Sequence, residues 1–228
     1  MNNLIVTLKS WNVENANELK EKDKVNNWEI ITDRKYFTAE KVKEIDPKYI
    51  FVPHWSWKIP GEIVNNYETV IFHPTDLPYG RGGTPIQNLI TRGIYDTKIS
   101  AIRANEEMDA GAIYMKEPVN ISEGNVDDIL KKMSSIYFNQ MIPDIINTQP
   151  IPTPQEGKIV NFKRRKPYES NIKPLLETNP SDRQIYDFVR MLDGEGYPKA
   201  YIEIGENKFE LHNAKIKESK LEMEVKKI

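Results

Sequence analysis

The run Phe72-His73-Pro74-Thr75-Asp76-Leu77-Pro78-Tyr79-Gly80-Arg81-Gly82-Gly83-Thr84-Pro85-Ile86-Gln87 holds the residue with the widest chemical range in the chain, His73. An imidazole gains and loses protons near neutral pH, so a histidine held in one place can carry a proton between two reacting atoms. His73 stands where a short β-rich run, Thr69 to Phe72, gives way to a Pro- and Gly-rich loop. Ligands of open α/β sheets collect at the carboxyl ends of strands, which is the position His73 would hold. A second element is the acidic turn Glu107-Met108-Asp109-Ala110-Gly111, placed before another apolar run. A carboxylate beside an imidazole orients the ring and favours its charged form. Each element alone has a simpler reading. A histidine can cap a strand end, and Asp with Gly favours turns in any case.

The elements that must position these residues follow an α/β rhythm. Leu4 to Leu8, Trp28 to Thr32, Tyr49 to Val52 and Thr69 to Phe72 are short and rich in Val, Ile and aromatics. Most are apolar at successive positions, the pattern of strands covered on both faces. Helix-permissive stretches around Ala16 to Lys20, Ala39 to Ile45 and Pro60 to Asn65 lie between them. The expected fold is an open, mostly parallel, Rossmann-like sheet flanked by helices. Thr84-Pro85-Ile86-Gln87 reads as a capping box opening a helix that Gly93 stops. An apolar stripe from Val126 to Tyr137 predicts a longer helix limited by Pro143, and Ser181 to Gln184 opens another that Gly194 ends. Three prolines between Asn147 and Pro154 mark a boundary, giving a catalytic domain over 1–148 and a small subdomain over 149–228. In the latter, Tyr201 to Ile204 and Lys208 to His212 form a hairpin, and Leu221, Met223 and Val225 lie on a last half-exposed strand.

Composition narrows the function. The chain has 228 residues and is 39% hydrophobic, with 32 Lys and Arg against 34 Asp and Glu. That near balance argues against a dedicated nucleic-acid binder. With no cysteine, disulfides, thiolate nucleophiles and Cys-ligated metals are excluded. The N-terminus lacks the basic start of a signal peptide and no run approaches a membrane span, so a cytoplasmic protein without membrane contact is expected. No Gly-x-Gly-x-x-Gly turn, P-loop, Gly-x-Ser-x-Gly elbow or His-Glu-x-x-His helix is present, and no metal is expected.

Together, His73-Pro74-Thr75-Asp76-Leu77-Pro78, Arg81 to Gln87 and Asp109-Ala110-Gly111, with the separation of His73 from Asp109, resemble the signature of formyl-tetrahydrofolate-dependent transformylases. The resemblance runs from about Leu4 to Pro118 and resumes more weakly at Phe162 to Pro167 and Ile185 to Ala200. It implies an N10-formyltetrahydrofolate co-substrate, His73 as proton shuttle and Asp109 as its orienting carboxylate. It implies a pterin-lining loop at Trp55, Ser56, Trp57 and Ile59, with Glu107 and Met108 also on the folate side. Tyr79, Arg81, Gly82, Gly83 and Lys163 are then candidate substrate contacts. One position departs from the family. Ile71 stands two residues before His73, where the family carries a catalytic Asn. Loss of an oxyanion donor costs about 2.7–4 kcal/mol, so a substitute is expected, and Thr75 and Asn88 are the nearest candidates. His54 and His212 read as structural, and Lys163-Arg164-Arg165-Lys166 as a solvated basic run.

The near-neutral charge and the short stretch after Pro152 point away from a tRNA acceptor. The form of the loop is similar to the sugar N-formyltransferase branch. The expected acceptor is therefore a nucleotide-linked amino sugar, best a UDP-4-amino-4,6-dideoxy hexose of the pseudaminic type. Methionyl-tRNA or another small amine is the alternative acceptor, and a folate-binding module without turnover is the non-enzymatic alternative. A homo-oligomer is compatible with the sequence.

Overall fold

The structure, a computed structural model, describes residues 1–228. The chain resolves into two compact units, each drawn from three stretches. Met1–Arg81, Lys98–Val119 and Lys131–Asn161 make the first, and Gly82–Thr97, Asn120–Leu130 and Phe162–Ile228 the second.

The first unit is built on β1 (Asn2–Val6), β2 (Asn27–Ile31), β3 (Tyr49–Val52), β4 (Glu68–His73), β6 (Asp96–Arg103) and β7 (Ile113–Asn120), with the short β5 (Tyr79–Gly82) set apart. The sheet order is β2-β1-β3-β4-β6-β7. The first four strands run parallel, and β6 turns antiparallel to β4, so the expected mostly parallel α/β sheet is what forms. Helices α1 (Ser10–Lys22), α2 (Ala39–Ile45) and α3 (Gly61–Asn66) link the parallel strands. Thr38 starts α2 by accepting the Lys41 backbone N–H.

Apolar side chains at successive strand positions cover both faces, because alternate residues point to opposite sides. Leu4, Val6, Ile50 and Val52 pack with Phe37, Val42 and Ile63 on one face. On the other, Phe51 stacks on Phe72 and Phe72 on Tyr137. Burying one such side chain stabilises by roughly 1.5–3 kcal/mol.

Two local expectations change. The helix from Val126 is not limited by Pro143. Helix α5 (Val126–Ile136) widens into a π turn, Tyr137–Met141, and continues as α6 (Ile142–Thr148) with Pro143 in its first turn. A proline has no N–H to give and its ring meets the carbonyl four residues back, so a turn bonded five residues back accommodates it. The Ile142 N–H donates to the Tyr137 carbonyl, which is such a bond. At α4 (Pro85–Ile90), Thr84 adopts a left-handed φ of 46° and its side chain caps nothing in the helix. Its hydroxyl oxygen instead accepts the Arg165 N–H, and the Gln87 amide reaches the Met191 carbonyl.

A three-residue strand, β8 (Val160–Phe162), pairs with β5. In the second unit α7 (Lys173–Leu176) precedes α8 (Asp182–Arg190). The capping box of Ser181 and Gln184 forms as expected. Strands β9 (Ala200–Ile204), β10 (Asn207–Lys217) and β11 (Lys220–Lys227) make an antiparallel sheet in the order β11-β10-β9. Arg190, 1% exposed, ties α8 to the loop before α5. It donates to Asp187 at 2.6 Å and to the carbonyls of Gly124 and Ile121 at 2.9 and 3.0 Å. Gly194 lies so close to that helix start that a Cβ would sit 2.3 Å from the Val126 side chain.

Candidate functional site

His73 is the last residue of β4, and only 7% of it is exposed. Its Nε2 lies 2.8 Å from the Gly80 carbonyl oxygen, and its Nδ1 lies 3.4 Å from Asp109 Oδ1. Both ring nitrogens therefore face acceptors. A ring with two protons serves both, and a ring with one serves only one of them. The loop that brings Gly80 back is pinned at several points. The Thr75 hydroxyl also donates to the Gly80 carbonyl, at 3.3 Å. Ser100, opposite His73 in the β4–β6 register, donates to the Thr75 carbonyl at 2.7 Å and accepts the Leu77 N–H at 3.3 Å.

Asp109 arrives from the loop between β6 and β7 with a left-handed φ of 53°. The turn is locked from both sides. A Cβ on Gly111 would fall 1.6 Å from the Arg103 carbonyl oxygen, so only glycine fits there. The Gln155 amide donates to the carbonyls of Asp109 at 2.7 Å and Gly111 at 2.9 Å. An open depression of about 350 Å³ beside this turn is lined by Gly111 with Val64, Asn65, Arg103 and Asn105, and by neither His73 nor Asp109.

The remaining candidates fall into distinct settings. Ile71 packs against the apolar cluster of its sheet face and offers no hydrogen. Thr75 is fully buried and its hydroxyl proton goes to Gly80. The Asn88 amide serves the carbonyls of Gly83, Thr84 and Lys163 within the second unit, and its oxygen accepts from Arg92. Both expected substitutes for the missing amide are thus engaged elsewhere. Arg81, expected to contact substrate, is 9% exposed and gives Nε and Nη2 to Gln155 Oε1 at 3.0 and 2.8 Å, with Glu107 3.5 Å from Nη1. Gly82 and Gly83 lie against the β8 end, where a Cβ would press on Phe162 and Arg164. Tyr79 is half-buried in β5, and Lys163 is exposed.

Trp55 packs edge-on against Phe37 and Trp57, and Arg34 sits 5.1 Å over the Trp57 ring. Trp57 is 42% exposed and Met108 72%, while Ile59 is buried and Ser56 exposed. The buried Trp55 indole N–H has no acceptor. His54 is held by Asn12 at 2.8 Å, and burial pushes its imidazole down to about 3, with Lys9 adding to the effect. His212 sits 3.6 Å from Asp193 and 3.3 Å from Glu210. No group of three or more His, Asp or Glu side chains is arranged to hold a metal, and no helix is long and apolar enough to cross a membrane.

Sequence reasoning missed the Gly80 carbonyl, Ser100 and Gln155. The first is a backbone group and carries no residue signal. Gln155 directly follows the proline-rich stretch read as a boundary, and a lone polar residue there has no periodicity to mark it.

The family model described as formyl transferase matches residues 12–142, and the one described as methionyl-tRNA formyltransferase, C-terminal domain, matches 167–228. A methionyl-tRNA formyltransferase from Sulfurihydrogenibium is 27% identical over 188 residues, covering 80% of this chain and 59% of that protein. The chain spans about three-fifths of the length of the first curated relatives it matches. A solved structure described as methionyl-tRNA formyltransferase from Clostridium thermocellum is 46% identical, with a TM-score of 0.94, covering 100% of this chain and 99% of that one. More distant structures share the fold alone. HypX from Aquifex aeolicus, solved with tetrahydrofolic acid, has a TM-score of 0.78 at 20% identity, over 94% of this chain and 38% of that one. A sugar N-formyltransferase from Shewanella has a TM-score of 0.70 at 18% identity, over 93% and 97%. The match over residues 12–142 and the 46% identity along the whole chain establish that it belongs to the formyl transferase family.

Proposed function

We propose that this chain transfers a formyl group from N10-formyltetrahydrofolate to a primary amine, with the methionyl group of a charged tRNA as acceptor. The observation that carries the chemistry is the pair His73 Nδ1 and Asp109 Oδ1, 3.4 Å apart at the carboxyl end of β4. The amine nitrogen attacks the formyl carbon, a tetrahedral oxyanion forms, and the bond to the folate nitrogen breaks as that nitrogen takes a proton. With Nε2 tied to the Gly80 carbonyl, the proton leaves the amine and returns to the folate nitrogen along the edge shared by His73 Nδ1 and Asp109. The exposed surfaces of Trp57 and Met108 suit a flat, partly apolar pterin.

The acceptor follows from the similarities rather than from the composition. The relatives with substantial identity are described as methionyl-tRNA formyltransferases, and the family model over 167–228 carries the same description. Sugar N-formyltransferases share only the fold, so the amino-sugar acceptor and the exclusion of nucleic acid, both expected from charge balance, lose their support. A modest net charge of −2 does not prevent a local cationic surface, and Lys163, Arg164 and Lys166 are all exposed.

The test offers N10-formyltetrahydrofolate with charged initiator tRNA and, separately, with UDP-linked 4-amino-4,6-dideoxy sugars. Formyl-methionyl-tRNA should form, with an apparent affinity that falls steeply as salt rises, because phosphate contacts release counterions. Formylation of an amino sugar with none of the tRNA would overturn the choice of acceptor while leaving the formyl chemistry in place.

A further inference from the structure

We propose that Gln155 is a positioning residue for the transfer reaction, closing a ring of contacts that aims the Asp109 carboxylate at His73. The proposal rests on the reading of His73 and Asp109 as the catalytic pair. The ring can be followed atom by atom. His73 Nε2 donates to the Gly80 carbonyl, and Arg81 is the next residue along β5. The Arg81 guanidinium donates twice to Gln155 Oε1. Gln155 Nε2 then donates to the carbonyls of Asp109 and Gly111, and the Asp109 carboxylate faces His73 Nδ1.

Only an uncharged amide fits this place. Its oxygen must accept from an arginine while its nitrogen gives both hydrogens to carbonyls, which fixes the orientation of the amide without ambiguity. A glutamate would keep the arginine but turn lone pairs toward two carbonyl oxygens. A methionine of similar length would serve neither side. The backbone under Asp109 is the part that needs holding, since a non-glycine residue at a left-handed φ persists only where its surroundings over-determine it. Arg81 is assigned to the same ring, with its side chain turned to Gln155 and away from a role as an anion grip. Gln155 holds the Asp109 and Gly111 carbonyls, so it acts on the reaction through the backbone of the turn.

The experiment is a double-mutant cycle between Gln155→Ala and Asp109→Asn, reading formylation of charged initiator tRNA by N10-formyltetrahydrofolate. Displacing a reacting group by about 1 Å costs on the order of a hundredfold, so kcat of Gln155→Ala should fall by about that factor with KM for the folate little changed. In the Asp109→Asn background the same substitution should cost only a few-fold, because the carboxylate it serves is gone. Gln155→Met replaces Gln155→Ala if the smaller side chain unfolds the protein. Additive losses, or a kcat equal to that of wild type, would overturn the positioning role. An Asp109→Asn variant with full activity would instead overturn the catalytic pair, so the two failures are distinguishable.

Discussion

Two charged pairs, one in each unit, are built to opposite standards. Arg190 and Asp187 meet at 2.6 Å with the arginine 1% exposed, and its other hydrogens go to two backbone carbonyls. His73 and Asp109 stand 3.4 Å apart, their side chains 8% and 14% exposed. The first pair is held tightly, with each of the three guanidinium nitrogens donating to a fixed partner. The second is enclosed but slack, with the ring fixed by Gly80 on one side and a gap facing the carboxylate on the other. A pair that only holds structure gains from closeness, because a buried charge without a partner is costly. A pair that moves protons gains from a looser fit, because a partner locked by short bonds on every side has no proton to exchange.

That contrast can be broken or sharpened by substitution. The largest effect is expected for His73→Ala, which should lower the formylation rate by about 10²–10⁴-fold, the usual share of a general acid–base group. Its thermal unfolding midpoint should stay near that of the wild type. A full rate in this variant would remove His73 from the chemistry.

Arg190→Met should do the reverse. Removing one partner of a buried pair costs about 3–5 kcal/mol, readable in urea unfolding, while the rate per folded molecule is retained. Unchanged stability would mean that the burial of Arg190 carries no such cost. The smallest effect is expected for Ser181→Ala at the start of α8, about 1 kcal/mol from the lost cap. Its capping partner Gln184 stays in place, so activity should not respond.

How much of this was legible beforehand differs between strands and loops. Tyr49 to Val52 and Ala39 to Ile45 coincide with β3 and α2, because their apolar patterns are set by burial on two faces or on one. Ser181 and Gln184 formed their box, while Thr84 did not, since its hydroxyl found a distant partner in the Arg165 backbone. A local rule holds only until tertiary contacts offer something better. Pro143 misled for a related reason: a π turn is a response to the proline that no spacing rule announces. At the site, His73 and Asp109 could be named from residue type and separation. Of the groups that hold them, the Gly80 carbonyl is a backbone oxygen, which every residue has, and the Gln155 amide grips two more such oxygens, a pairing that no sequence pattern announces.

The interleaving of the two units has a consequence for the order in which the chain can fold during synthesis. The first unit takes its last segment from Lys131–Asn161, so its core cannot be completed until most of the chain has been made. Gly82–Thr97 and Asn120–Leu130 emerge well before Phe162–Ile228, the segment that completes their own unit. On a ribosome those two stretches must wait, with α4 and the start of α5 lacking their final partners. Such long-range closure slows folding and leaves apolar surface uncovered in the interval. Ile86, Leu89 and Ile90 lie in the first of those stretches and are buried in the finished protein.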